Sequence, residues 1–249
     1  MAGLVAQAGA QLARLRFLIT PSALLLPFAV EPAFAGAWIA PEEGQEIWTN
    51  SAGERGDMQA YESSVFIEAP LRPEASLVAA GWVEQGYAAG PELWRGEALL
   101  GLKHVVGRWS DTVSAVQGGA FWRSDPPADC DEGGAELRWL GGTSLGEAGR
   151  GFLNLEAAAR LQSGGCLGRK LDLTAGYRPA ENWLGLAQAF LDAPDEGEHS
   201  WKGQLSLVRF RRSGRGVQIG LRVRLDGAHR EPSLIIGWWG DRKGEGATE

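Results

Sequence analysis

From residue 43 onward, apolar and polar positions alternate with a period of two, not with the spacing of an amphipathic helix. Between Lys170 and Arg178 one face carries Leu171, Leu173, Ala175 and Tyr177, and the other Lys170, Asp172, Thr174 and Arg178. Successive side chains of an extended strand point to opposite sides of a sheet, so this pattern separates two environments. Val217 to Asp226 repeats it, with Gln218, Arg222, Arg224 and Asp226 on the polar face, and weaker copies run over Glu62–Ala69, Trp94–Val106, Glu136–Trp139, Phe152–Leu161 and Lys202–Leu207. The segments predict about twelve strands, at 43–50, 60–70, 75–87, 93–106, 111–123, 134–143, 151–161, 169–178, 182–191, 200–210, 215–226 and 232–240.

Short turns at Leu71–Glu74, Gly107–Ser110, Gly146–Arg150, Arg178–Asn182 and Arg211–Arg215 alternate with stretches that are mostly longer and more acidic, at Ser124–Gly133, Gln162–Arg169, Asp192–His199 and Asp226–Glu231. Alternating turns and loops describe an up-and-down meander with two unlike ends, the layout of a barrel in a bacterial outer membrane. The expected fold class is therefore all-β, an up-and-down antiparallel transmembrane β-barrel of about 12 strands. With an even count both termini fall at the end of the short turns, the periplasmic side in such barrels.

Composition narrows the choice. The 249 residues include 36 Gly and 11 Trp, are 44% hydrophobic, and carry a formal net charge of -7. Arg14 and Arg16, the apolar stretch Phe17–Val30 and the small-x-small site Ala33-Phe34-Ala35 read as a secretory signal peptide cleaved after Ala35. Residues 1–35 are thus expected to be a leader, 36–240 the barrel, and 241–249 a polar C-terminal tail. Beyond the leader no apolar run reaches the roughly 20 residues of a membrane helix, which excludes a helical membrane protein but not a barrel. Without a basic block the chain does not read as a nucleic-acid binder.

In a membrane barrel the apolar face meets lipid and the polar face lines the lumen. That arrangement would gather Glu62, Arg95, Glu97, Lys103, Glu136, Arg138, Glu156, Arg160, Lys170, Asp172, Arg222 and Arg224 around the lumen. The alternative is a soluble secreted β-protein with those charges on a solvated outer face. Tryptophan placement favours the membrane: Trp48, Trp94, Trp122 and Trp201 are expected near the longer loops, and Trp38, Trp109, Trp183, Trp238 and Trp239 near the opposite ends, as two interfacial girdles.

The start Gly36-Ala37-Trp38-Ile39-Ala40-Pro41-Glu42-Glu43-Gly44-Gln45, and Leu171 to Pro179 followed by Trp183-Leu184, resemble a poorly characterised group of proteobacterial outer-membrane β-barrel proteins with transporter-like labels. The resemblance covers most of residues 36–240 as a pattern. It implies the barrel and an outer-membrane location in a Gram-negative bacterium, and supplies no functional residues. Such barrels usually end on an aromatic residue read by the barrel-assembly machinery, whereas here Trp238-Trp239 is followed by the polar stretch Gly240–Glu249.

Candidate chemistry is sparse. His104 falls on an apolar face, and His199 and His229 fall in loops; His199 beside Ser200 suggests at most a surface lipid hydrolase, but neighbours on an extended chain point apart. No catalytic, cofactor-binding or metal-ligand motif is present. The acidic loop residues Asp125, Asp129, Asp131, Glu132, Asp192, Asp195, Glu196 and Glu198 read as a solvated rim, or as a bridge through cations to lipopolysaccharide. Cys130 and Cys166 lie in adjoining loops of an exported chain and are expected to pair. The leading expectation is a non-enzymatic passive channel for small solutes with a charged lumen, surrounded by outer-membrane lipid and lipopolysaccharide; a non-catalytic envelope protein whose loops bind lipopolysaccharide or polysaccharide is the alternative.

Overall fold

The alternating segments form twelve strands: β1 (Gln45–Arg55), β2 (Met58–Arg72), β3 (Ala75–Tyr87), β4 (Leu93–Trp109), β5 (Thr112–Arg123), β6 (Gly133–Leu145), β7 (Gly151–Gln162), β8 (Leu167–Ala180), β9 (Trp183–Pro194), β10 (Ser200–Phe210), β11 (Gly216–Arg224) and β12 (Glu231–Gly240). The computed structural model describes residues 36–55, 58–87, 93–126, 129–146, 149–194, 199–225 and 231–240. The expected leader at 1–35 and tail at 241–249 lie outside them, as do His229, Asp195, Glu196 and Glu198.

Each strand pairs antiparallel with its sequence neighbour, and β1 closes the barrel against β12 from Glu46↔Gly240 to Gly53↔Ser233. Closure leaves no unpaired edge, the condition for placing a sheet in hydrocarbon. The connections at 73–74, 110–111, 146–150, 181–182 and 211–215 share one end with the start of β1 and the end of β12; the other connections lie at the opposite end. We call these the turn end and the loop end.

The first hairpin differs from the sequence reading. β1 continues to Arg55 and β2 begins at Met58, where a longer gap was expected, because Ser51–Gly53 pair on both sides, with Glu62–Ala60 and with Ile235–Ser233. The longer strand moves Trp48 from the expected loop end to the turn end, where it sits opposite Trp238.

The outward residues are largely apolar and exposed, among them Leu100, Leu102, Leu137, Leu173, Leu205, Ile219, Leu221, Leu234 and Ile236. Exposed aromatics bound this belt: Trp94, Trp122, Trp201, Tyr61 and Tyr87 toward the loop end, and Trp48, Trp109, Tyr177 and Trp238 toward the turn end. So continuous an apolar face on a soluble monomer would be anomalous, whereas lipid solvates it. His104 belongs to this outer face.

Residues 129–132 and 163–166 are knitted together. Cys130 and Cys166 form a disulfide with Cα atoms 5.8 Å apart. Beside it the Asp131 amide donates to the Ser163 carbonyl at 3.0 Å, and Gln162 Nε2 donates to the Asp131 carbonyl at 2.7 Å.

Candidate functional site: a divided lumen

The inward positions differ between the two halves of the barrel. Toward the turn end many of them are apolar: Val105, Val113, Ala115, Leu140, Phe152, Leu184, Leu186 and Val208 form one buried cluster with Ala37, Trp38 and Ile39. This departs from the expectation of a lumen polar throughout. Strands such as β9 carry apolar residues on both faces here, Leu184 and Leu186 pointing in, because this part of the lumen is packed with protein and not with water.

The packing element is the chain's own segment 36–40. Trp38, expected at the lipid interface, is only 8% exposed, lies over Gly142 and packs edge-on against Phe152 with ring centroids 6.4 Å apart. A side chain at position 142 would occupy the place of the indole ring, so the glycine there is a steric requirement. Trp239, also expected at the interface, points inward, donates from Nε1 to Gln218 Oε1 at 2.7 Å and packs against Phe210. The Gly44 amide bonds the Pro41 carbonyl at 2.7 Å in a turn that feeds the segment into β1.

Polar groups fix the segment in place. Lys103 Nζ donates to the Gly36 carbonyl at 2.9 Å, the Trp38 carbonyl at 2.6 Å and Glu68 Oε2 at 2.7 Å. Glu68 Oε1 in turn accepts from the Ala40 amide at 3.1 Å and Ser76 Oγ at 2.7 Å, and Asn154 Oδ1 accepts the Ala37 amide at 3.1 Å. Lys103 and Glu68 are almost fully buried, so each charge depends on the other and on these bonds.

Beside and above the buried cluster the lumen holds a cavity of about 470 Å³, whose lining runs from Gln45, Ile47 and Trp239 near the turn end, past Gly36, Leu140 and Leu186, to walls of charge toward the loop end. One wall, across β4 and β6–β9, is a continuous ion-pair chain. Lys170 Nζ lies 3.7 Å from Asp192 and 2.9 Å from Glu97; Glu97 receives both terminal nitrogens of Arg160 at 2.6 and 2.7 Å. Arg160 Nε reaches Glu136 at 2.6 Å, and Arg138 joins Glu136 at 2.9 Å to Glu156 at 2.6 Å and Asp172 at 3.4 Å. The Arg160–Glu97 fork reaches across β5 and β6, with the Arg160 guanidinium lying 4.5 Å from the ring centroid of Phe121 on β5.

The second wall spans the closing seam. Arg222 on β11 donates to Glu62 on β2 at 2.6 Å and to Gln204 at 2.9 Å, and Lys202 lies 3.8 Å from the same Glu62. Nearer the mouth, Arg95 forks onto Glu84 with both bonds at 2.9 Å, and Arg224 stands 3.9 Å from Glu231. The candidate lumen residues therefore lie in three clusters: Glu97, Glu136, Arg138, Glu156, Arg160, Lys170 and Asp172 together; Glu62, Arg222 and the rim residues Arg95 and Arg224 around the opposite wall; and Lys103 apart, in the floor.

Sequence reasoning missed Glu84, Asn154 and the segment 36–40. Glu84 stands in register opposite Arg95 and was within reach of a cross-strand pairing argument. Asn154 carries no charge to draw attention, and its role depends on a segment that precedes the first strand. Among the described residues no cluster of His, Cys, Asp or Glu is arranged to hold a metal ion. His199 is exposed at the loop end while Ser200 lines the cavity, so this adjacent pair diverges as alternation requires.

No family model matches the chain, and no curated protein matches it in sequence. Solved structures do match in fold. The NanC porin is similar with a TM-score of 0.58 at 8% identity, covering 77% of this chain and 98% of that one. The KdgM porin in complex with disordered oligogalacturonate is similar with a TM-score of 0.56 at 7% identity, covering 78% of this chain and 97% of that one. At such identities the likeness is one of fold: a closed antiparallel barrel of the size found among porins.

Proposed function

We propose that this chain is an outer-membrane barrel of the porin type, a non-enzymatic channel whose charged vestibule opens at the loop end and whose lumen is narrowed toward the turn end by its own N-terminal segment. The observation that carries the reading is the divided lumen, a cavity of about 470 Å³ lined by fixed charges of both signs above a plug of residues 36–40, inside an apolar belt. Fixed charges lining a lumen select solutes by potential and width, and the likeness in fold to KdgM and NanC supports this class of function. Lipid and lipopolysaccharide would surround the belt, and barrel-assembly machinery would insert it. Small polar or charged solutes are the class of permeant that such walls admit once the plug withdraws.

Planar-bilayer recording tests this directly. Protein that shows heat-modifiable migration and fractionates with outer membranes is expected to give small or infrequent openings. Deleting residues 36–43 is expected to raise the conductance by about an order of magnitude, and Arg222→Glu in that background to shift selectivity toward cations. A folded deletion variant that carries no current would defeat the channel reading and favour a closed barrel that displays the disulfide-linked loops to lipopolysaccharide or polysaccharide.

A further inference from the structure

Residues 36–40 are held in the lumen as a bound peptide would be, and the first of them occupies the most constrained place. Gly36 adopts a positive φ of 72°, and a Cβ there would collide with the Asn154 side chain. Its carbonyl is fixed by Lys103, yet it also lines the open cavity. Asn154 links it to the charged wall by donating from Nδ2 to Glu156 Oε1 at 3.0 Å. That part of the wall is rich in acid, since Arg138 alone meets Glu136, Glu156 and Asp172.

We propose, on the reading of the chain as an exported barrel, that removal of the leader after Ala35 creates the plug's own anchor: the Gly36 α-ammonium seats beside Asn154 and Glu156 as an additional cation of the lumen. Hydrolysis of the Ala35–Gly36 bond by a signal peptidase consumes one water. The leader departs with a new Ala35 carboxylate, and the freed Gly36 nitrogen takes up a proton, because an unperturbed α-amine titrates at about 7.7–8.0. Capture of an N-terminal amine by a fixed polar pocket is an established mode of peptide recognition, used here within one chain.

The test uses processed protein extracted from membranes, its folded state verified by heat-modifiable migration. Intact mass is expected to begin at Gly36. Acylation by a water-soluble N-hydroxysuccinimide ester, followed by digestion and mass spectrometry, is expected to modify the Gly36 amine at least about tenfold more slowly in the folded than in the denatured protein, as a charge-assisted contact implies. Glu156→Gln, or Asp172→Asn if the first variant does not fold, is expected to move the folded rate toward the denatured one. A first residue other than Gly36, equal labelling in the two states, or an unchanged rate in the folded variant would overturn the proposal. Because the readout is chemical, a protected amine in a barrel that never conducts would remove the channel reading and leave this one standing.

Discussion

The two halves of the lumen are built from the same twelve strands and the same alternation, yet they solve different problems. The turn half is a protein interior: Leu184, Val208 and Ala115 are nearly solvent-free and pack around Trp38, and its buried ion pair, Lys103–Glu68, is completed by backbone groups of the plug. The loop half is a hydrated vestibule whose charges pair with one another along the wall while still facing a cavity. The difference teaches that strand alternation decides which side chains point inward, whereas what fills the space decides whether those side chains should be apolar or charged. Where a peptide segment occupies the lumen, apolar burial stabilises it; where water does, ion pairs hold the long side chains against the wall.

Breaking the buried pair should separate the halves most sharply. Lys103→Met strands the Glu68 carboxylate in a closed site and is expected to cost about 3–5 kcal/mol in urea unfolding followed by tryptophan fluorescence. Adding Glu68→Gln should return most of that loss, since the amide oxygen keeps an acceptor for Ser76 and Ala40 while the unpaired charge disappears. A single-variant cost near that of a surface substitution would show that water reaches this pair and that the floor is not sealed.

A second contrast compares cavity formation with loss of a hydrogen bond. Leu184→Ala in the packed half should destabilise the barrel by about 2–5 kcal/mol. Gln204→Ala beside the cavity, which removes side-chain bonds to Gln188, Ser206 and Arg222 but leaves a space that water can reach, should cost about 1–2 kcal/mol. Equal losses would erase the distinction between a packed and a hydrated half. The smallest effect is expected at the rim, where Arg224→Ala removes a long 3.9 Å contact with Glu231 and should change stability by about 0–1 kcal/mol.

Much of the wall was legible in the sequence. Lys170 sits on the polar face of a strand whose alternation is clean, and Arg138, Glu156 and Arg160 sit on polar faces of weaker copies, so their inward direction followed from period two alone. Trp48 was misplaced because the alternation past Asn50 is too weak to reveal that β1 continues, and a strand's length decides which end a residue approaches. Trp38 and Trp239 were misplaced for another reason: a tryptophan near a strand end serves equally well at a lipid interface or inside a plug, and only its neighbours distinguish the two. Glu68 and Lys103 were each readable as polar-face residues, but their union over a peptide segment was not.

The sequence by itself determined the number of strands, most of their bounds, their order and which residues share the apolar outer face, because these follow from local alternation and short connections that leave a meander few alternatives. The tertiary structure alone decided which charges meet and that the lumen is divided. Arg222 and Glu62 are far apart in sequence and become neighbours only when β12 closes on β1, and Gly36–Ala40 find Lys103, Glu68 and Asn154 only inside a finished barrel. Contacts made across a closed lumen leave no periodic trace along the chain, since they depend on the curvature and register of strands distant in sequence.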